Sequence, residues 1–149
     1  MHTVHRATPS DINAIAPLFD AYRQFYGQAP DLAGAHDWLH QRMQADEAVV
    51  LVARDSAGEV EGFAQLYRML SSVRTARTRV LNDLYVDPRA RRNGVGRALL
   101  DAAVAFARDE GAAGIALETS RDNAAARALY RSAGWVEEPS QWYSVALTP

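Results

Sequence analysis

The sequence predicts a mixed α/β domain, in which helices cover the faces of one mixed sheet. Three apolar runs of β type lie at residues 48–53, 60–69 and 78–87. A long amphipathic helix is predicted after them, because apolar residues recur at the i, i+3, i+4, i+7 spacing between Val95 and Ala107. The complete predicted order is β-α-α-β-β-β-α-β-α-β-β, which places helices between groups of strands of one domain spanning residues 1–149.

The N-terminal elements are a short strand and two helices. The strand covers about residues 2–6, and Thr8-Pro9-Ser10-Asp11 follows it as a helix start, with an N-cap residue, a proline and an acid in the first turn. Apolar residues continue at helical spacing to Phe19. Pro17 lies inside this pattern, so we expect it to kink or split the helix. A second helix is predicted over residues 35–45.

The later elements are delimited by turn residues. A turn at residues 55–58 joins the first two long strands, and Gly111 ends the long helix. A strand is predicted at residues 115–119, followed by a helix over about 126–133 that ends at Gly134. Two last strands are predicted at residues 135–138 and 142–147.

Composition excludes several classes of protein. The chain has no cysteine, which excludes disulfides and thiolate metal sites, and its four histidines show no convincing metal spacing. There is no run of about 18 apolar residues and no apolar stretch typical of a signal peptide, so we expect no membrane partner and a cytoplasmic location. The net charge of −2 argues against general nucleic-acid binding.

The most informative segment is a turn rich in glycine and arginine between the strand at 78–87 and the long helix. The amides of a first helical turn are unpaired and lie at the positive end of the macrodipole, so this turn predicts a phosphate site. A P-loop would need Lys and Ser or Thr after the glycines, but Gly96 is followed by Arg97-Ala98. A dinucleotide fingerprint would need a third glycine where Leu99 stands.

The same segment resembles a known family. Arg91-x-x-Gly94-x-Gly96, after Leu84-Tyr85-Val86, is similar to the pyrophosphate-binding motif of the GCN5-related N-acetyltransferase (GNAT) superfamily. A second signature runs from Asn123 through Leu129-Tyr130 to Gly134-Trp135. Residues 63–67, 71–72 and 81–86 resemble the strands of a subgroup related to yeast Hpa-type acetyltransferases. The resemblance implies a central mixed, mostly antiparallel sheet with helices on both faces, and acetyl-CoA as cosubstrate without a metal.

The resemblance also implies the residues that bind acetyl-CoA. Backbone groups of the strand before the turn would hold the pantetheine arm and polarise the thioester, and these belong to Leu84, Tyr85 and Val86. Asn123 would hydrogen-bond the pantetheine or a linking water. The pyrophosphate would lie on the turn and the helix start, where the candidate residues are Arg91, Arg92, Asn93, Gly94, Val95, Gly96 and Arg97.

Two catalytic roles follow from the resemblance. Tyr130 would protonate the departing thiolate, which suits a phenol with a pKa near 10. Many family members place a glutamate on the strand before the turn, but this chain has Asn82 and Asp83 there. Asp83 is the candidate general base and Glu118 the second choice, and a water chain ending at backbone carbonyl groups would serve if neither does. The structural alternative for Asp83 is an ion pair with a neighbouring arginine.

The predicted activity is acetylation of a primary amine, with a small cationic molecule as acceptor. Tyr22, Phe25, Tyr26 and Trp38 are candidates for the walls of the acceptor site, and Asp20, Asp31 and Asp37 could attract a cation. Acetylation of a protein or peptide and non-catalytic sensing of acetyl-CoA remain as alternatives. Because many relatives pair through their late strands, Trp135 and Trp142 are consistent with a homodimer.

Overall fold

A computed structural model describes residues 1–148, which fall into two compact units, Met1–Glu118 and a second unit from Thr119 onward. The first unit holds a five-stranded sheet with the strands in sequence order. Neighbouring strands are antiparallel except β4 and β5, which are parallel, so the predicted mixed, mostly antiparallel sheet is confirmed. The strands are β1 (Thr3–Arg6), β2 (Ala48–Arg54), β3 (Val60–Ser71), β4 (Ala76–Val86) and β5 (Ile115–Ala116).

Helices cover both faces of this sheet. The helices α1 (Ile12–Phe25) and α2 (Leu32–Gln44) pack on one face, where Phe63 of β3 meets the aromatic ring of Phe19 with centroids 5.9 Å apart. The helix α3 (Val95–Asp109) packs on the other face. Its apolar residues predicted from the spacing include Val95, Leu99 and Ala103, and these are fully buried. Burial of this stripe is what fixes α3 against the sheet.

The start of α1 matches the sequence pattern, and the proline inside it does not divide the helix. The Thr8 amide donates to the Asp11 carboxylate at 2.8 Å, and a short 3-10 turn (Pro9–Asp11) leads into the helix. Pro17 does not split α1, which runs unbroken from Ile12 to Phe25. One missing hydrogen bond is outweighed here because Ile12, Ile15, Ala16 and Phe19 are all buried.

A β-bulge in β4 changes which side chains face α1 and α2. Gln65 of β3 lies opposite Asp83, but the next residue, Leu66, lies opposite Leu81, so Asn82 is one extra residue on β4. The bulge shifts the alternation of side chains by one position. Leu81 therefore belongs with the face of Leu66, and Asp83 belongs with the face of Phe63 and Gln65, toward α1 and α2.

Close packing of α3 on β3 depends on the missing side chain of Gly62. A Cβ atom at this position would lie 2.9 Å from the Tyr85 carbonyl oxygen, 3.1 Å from Leu99 Cδ1 and 3.3 Å from Val95 Cγ1. Gly62 therefore lets the N-terminal end of α3 approach the sheet where β4 ends.

The second unit contains the helix α4 (Ala124–Ser132). Gly134, the predicted stop, follows two residues after its end. The two late strands predicted at 135–138 and 142–147 are wrong, because the described residues 135–148 form no strand. Two strands alone make at best a marginal hairpin, and Pro139 lacks the amide that a ladder needs. The β5 prediction was also too long, since the strand ends at Ala116.

We expect Gly62→Ala to lower the free energy of unfolding by about 1–3 kcal/mol, because the new methyl group would collide with the Tyr85 carbonyl oxygen. Urea denaturation would measure this. Gly114→Ala is the matched control, since a Cβ there would meet only the mobile end of Arg74, at 3.3 Å. Equal stability of the two variants would contradict the close approach at Gly62.

Candidate active site

The turn before α3 exposes a run of backbone amides. Gly94 is the N-cap of α3 and has a φ of +82°, and Arg92 has a φ of +65°. Among the described residues, the amides of 91–96 donate no hydrogen bond, whereas the Ala98 amide bonds the Gly94 carbonyl oxygen at 3.0 Å. A Cβ atom on Gly94 would meet nothing within 4 Å. Unpaired amides beside open space fit an anion such as a pyrophosphate.

The arginines of the turn are not all directed at that amide run. The Arg91 Nε group donates to the Val86 carbonyl oxygen at 3.1 Å, and its guanidinium lies 5.5 Å from the centre of the Tyr85 ring. Arg97 bonds Asp101 at 3.0 Å, one helical turn away. Arg92 is exposed beside the amides. The backbone therefore provides most of the fit to an anion, with charge added by the surrounding arginines.

A histidine that the sequence analysis did not assign anchors this turn. The imidazole of His2 lies between two acceptors, with Nδ1 2.5 Å from the Glu61 carboxylate and Nε2 2.6 Å from the Asn93 carbonyl oxygen. These contacts tie the turn to the N-terminus and to β3. No local motif marks such a link, because the two bonded residues are 59 and 91 positions away in the chain.

The strand β4 has one open edge at its C-terminal end. Its partner β5 pairs only with Arg79 and Val80. The Asp87 amide donates to the Glu61 carbonyl oxygen at 2.8 Å. Since ladder bonds alternate along an antiparallel pair, the backbone groups of Tyr85 bond Phe63, while those of Leu84 and Val86 point to the open edge.

An aromatic cavity of about 450 Å³ lies between α1, α2 and the sheet. Its size is within the range of sites for small molecules. Three of the residues predicted to wall the acceptor site, Tyr22, Tyr26 and Trp38, line this cavity, and Phe25 does not. The full lining is Phe19, Tyr22, Arg23, Tyr26, Gln28, Asp31, Gly34, Ala35, Trp38, Tyr67 and Asp83.

Asp83 is the buried carboxylate of this cavity, only 6% exposed. It accepts hydrogen bonds from Gln65 Nε2 at 2.7 Å and from Asn82 Nδ2 at 3.1 Å, and it also bonds the Tyr22 side chain. Burial raises the pKa of Asp83, and these donors oppose the rise. The predicted alternative of an ion pair with an arginine is wrong, because every donor recorded on Asp83 among residues 1–148 is neutral.

A second ionisable group of the cavity is Tyr67, on the same face of β3. Burial and the negative charge of Asp83 raise the pKa of Tyr67, so it stays a phenol near neutral pH. The Trp38 side chain hydrogen-bonds Tyr67, and the Arg42 guanidinium lies 4.5 Å from the centre of the Trp38 ring. The sequence analysis missed Tyr67 because its position in a strand gives no sign of which face is open.

The other predicted acids differ in their surroundings. Asp20 is buried in a structural network, since it accepts from Arg23, Gln24 and the Asp31 amide. Asp31 caps α2 and lines the cavity, while the Asp37 side chain is 73% exposed and does not line it. Glu118, the second candidate base, follows β5 and is not part of the cavity lining.

The predicted residues of the second unit lie on α4. The Asn123 side-chain oxygen caps this helix by accepting from the Ala126 amide at 3.1 Å, which leaves its NH₂ group as the donor toward a ligand. The Tyr130 ring lies 6.4 Å from the Trp135 ring, and the Tyr130 carbonyl oxygen accepts from the Trp135 amide at 3.0 Å. The turn at Gly134 thus brings together the last residues of the second signature.

The described residues contain neither a metal-ligand cluster nor a membrane-spanning helix. Between residues 1 and 148, no three or more His, Cys, Asp or Glu side chains are arranged to hold a metal ion. None of the helices in that range is both long and apolar enough to cross a membrane.

Comparison with known proteins decides the family. Residues 14–135 match the model of the acetyltransferase (GNAT) family. The chain belongs to this family. It is 46% identical over 135 residues to an uncharacterized N-acetyltransferase of Bacillus subtilis, covering 91% of this chain and 90% of the relative. The chain is therefore an acyltransferase of the N-acetyltransferase class, with the predicted fold.

Two further proteins are similar to this chain over nearly its whole length. An aminoglycoside N(6')-acetyltransferase type 1 of Stenotrophomonas maltophilia is 30% identical over 151 residues, covering 99% of this chain and 95% of the relative. A crystal structure of a probable acetyltransferase has a TM-score of 0.93 and 33% identity, and 99% of each chain is covered.

We expect Asp83→Asn to stabilise the protein at about pH 8 and to have little effect at low pH. Because the pKa of Asp83 is raised in the folded state, its contribution to stability is present below the unfolded pKa and is lost as the pH rises through the folded pKa. Urea denaturation at about pH 3, below the unfolded pKa of an aspartate, and at about pH 8 would measure the difference.

Asp87→Asn is a control of opposite sign. The neighbouring Arg89 lowers the pKa of Asp87, so its contribution is present above the unfolded pKa and is lost as the pH falls through the folded pKa. This variant should be destabilised at neutral pH. If Asp83→Asn were also destabilised at pH 8, the ionised Asp83 carboxylate would stabilise the folded state, and its burial would not be a net cost.

Proposed function

We propose that this protein transfers the acetyl group of acetyl-CoA to a primary amine of a small cationic molecule. The observation that carries the proposal is the buried Asp83 carboxylate, which faces an aromatic cavity and has only neutral hydrogen-bond donors. A buried charge without a countercharge is costly. An ammonium group in the cavity would supply the countercharge.

The aromatic walls support a cationic acceptor. Rings of Tyr22, Tyr26 and Trp38 surround the cavity, and the faces of such rings attract cations. The one basic residue in the lining, Arg23, is paired with Asp20 at 2.9 Å and so does not act as a free charge against a cation. The aminoglycoside acetyltransferases among the relatives also point to small amines as acceptors.

Asp83 is the proposed base for the acceptor amine. At pH 7 only about one in 2,500 molecules of an amine with a pKa near 10.4 is neutral, a deficit of about 4.6 kcal/mol. A carboxylate whose pKa is raised by burial is a better proton acceptor near neutral pH than an ordinary one. Asp83 takes the proton directly or through water, and the nitrogen lone pair becomes free to attack.

The acetyl donor is proposed to bind along the open edge of β4 and the start of α3. Leu84 and Val86 offer backbone groups at that edge, and residues 91–96 offer amides for the pyrophosphate. The nitrogen attacks the thioester carbonyl, an amide C–N bond forms and the C–S bond breaks. Tyr130 gives its proton to the departing thiolate, a role that rests on the match to the second signature. The nitrogen loses its second proton as it becomes an amide, and that proton restores the Tyr130 phenol through solvent.

The two units are proposed to work as one acetyltransferase domain of residues 1–149. The family match runs from 14 to 135 and so crosses the boundary after Glu118.

An acceptor screen read by release of free thiol tests the function. Polyamines, amino acids, aminoglycosides and peptides would be offered with acetyl-CoA, and turnover of a small polycation would support the proposal. Turnover of peptides alone would favour a protein acetyltransferase. A thermal shift with acetyl-CoA but no thiol release from any amine would favour a sensor of acetyl-CoA.

We expect Gly94→Asp to weaken acetyl-CoA binding by at least about tenfold, because it places a negative charge at the amide run proposed for the pyrophosphate. Gly111→Asp is the matched control: both glycines have a φ of +82° and open space at Cβ, but Gly111 lies beyond the other end of α3. Calorimetry would compare the two affinities. Equal losses would show that backbone strain, and not the site, is responsible.

We expect Tyr130→Phe to lower kcat by about 10²-fold, the usual scale for a general acid, with little change in the Kd for acetyl-CoA. Steady-state kinetics and calorimetry would measure both. Tyr143→Phe, an exposed tyrosine of the same unit, is the control and should keep full turnover. Full turnover of Tyr130→Phe would reject the assignment of the acid.

A further inference from the structure

Gln65 is a polar residue with no role in the reaction described so far, although it is fully buried at 0% exposure. It lies directly opposite Asp83 in the β3–β4 ladder, and its Nε2 group donates to Asp83 Oδ2 at 2.7 Å. Its oxygen Oε1 has no hydrogen-bond partner among the described residues. A buried carbonyl oxygen without a donor is costly, so apolar packing alone does not explain a glutamine here.

The contacts of Asp83 leave little room for further donors. An ionised carboxylate has about four lone-pair sites. Gln65, Asn82 and Tyr22 occupy three of them in this structure. About one site is left for an amine or a water. Gln65 and Asn82 act on Asp83 through amide N–H groups, which favour the ionised form because a protonated carboxyl offers fewer acceptor sites.

Gln65 is distinguished from the other two donors by its setting. The Tyr22 ring also packs against Phe63 and Tyr85. Asn82 is exposed to solvent on the bulge. Asp83 is therefore not the main environment of either side chain. Gln65 is enclosed and has Asp83 as its one recorded side-chain partner in the described chain. The hydrogen bond from Gln65 Nε2 therefore fixes the direction in which the Asp83 carboxylate points.

Charged and titratable groups near Asp83 come from all the elements around the cavity. Tyr67 is on β3, Tyr22 and Arg23 are on α1, and Asp31 and Arg42 belong to α2 and its cap. Arg23 is held by Asp20, and Arg42 lies against Trp38. No cation in this set bonds Asp83, so neutral donors alone hold its charge.

We propose that Gln65 is a positioning residue, which keeps Asp83 ionised and directs its remaining lone pair at the acceptor amine. This proposal rests on the proposed function, in which Asp83 is the base. Gln65 itself need not touch the acceptor. Its effect reaches the reaction only through the state and direction of the Asp83 carboxylate.

The test is the pH profile of kcat/KM for Gln65→Met, which has nearly the same size but no donor. Loss of the hydrogen bond raises the pKa of Asp83, so the acidic limb of the profile should move to higher pH. We expect kcat/KM to fall about tenfold on that limb, the scale of one hydrogen bond to a charged group, and to recover to within about twofold at alkaline pH.

Leu66→Met is the matched control, because it changes the next residue of β3, on the opposite face of the sheet. Any loss of kcat/KM in this variant should be uniform in pH, and its acidic limb should stay in place. An unmoved limb in Gln65→Met, or a uniform loss at every pH, would overturn the proposal. If Gln65→Met does not fold, Gln65→Asn provides the same measurement, since its shorter side chain cannot reach Asp83 with the same geometry.

Three further results separate this proposal from the function on which it rests. Absence of thiol release by the unaltered protein with every amine would reject the proposed function. An unchanged acidic limb in Asp83→Asn would reject Asp83 as the base. A limb that disappears in Asp83→Asn but stays in place in Gln65→Met would reject only the role of Gln65.

Discussion

The candidate site depends on a single extra residue in a β-strand. Without the bulge at Asn82, strict alternation would put Asp83 on the same face as Leu81, which lies toward α3. With the bulge, Asp83 lies beside Gln65 and reaches the cavity lined by α1 and α2. Both proposed roles of Asp83 toward the acceptor, as countercharge and as base, require that its side chain lies on this face of the sheet.

The placement has an electrostatic cost that the fold offsets only in part. Burial disfavours the ionised form of Asp83, and three neutral donors restore some of its stability. A nearby arginine would hold the charge more firmly, but it would also lower the basicity and repel a cationic acceptor. A buried carboxylate surrounded by neutral donors and aromatic rings is therefore suited to receive a positive charge.

The same strand leads to the other half of the site. The strand β4 loses its second partner after Val80, before it reaches Asp83. Beyond Val86 the chain turns into α3, and the amides of that turn are unpaired among the described residues. Gly62 allows α3 to lie close to the sheet there, and His2 holds the carbonyl group of Asn93. The aromatic cavity and the proposed phosphate cradle are thus linked through one short segment of the chain, which suits a transfer between two bound molecules.

The sequence by itself determined most of the elements and the family, and it located the turn that is proposed to bind phosphate. Each of these is encoded locally: the apolar spacing of α3, the glycines of the turn and the two signatures use residues close together in the chain. The sequence also indicated Asp83 as the first candidate for the general base, with Glu118 as the second. It left an ion pair with a neighbouring arginine as the structural alternative for Asp83.

Only the tertiary structure decided which face Asp83 occupies, that Gln65 and not an arginine bonds it, and that Tyr67 joins the cavity. It also showed that Pro17 is tolerated within α1 and that residues 135–148 form no strand. These features depend on strand register, on burial and on partners 18 or more positions away, as for Gln65 and Asp83. Periodicity in a single sequence carries no information about such partners, because it describes one element at a time.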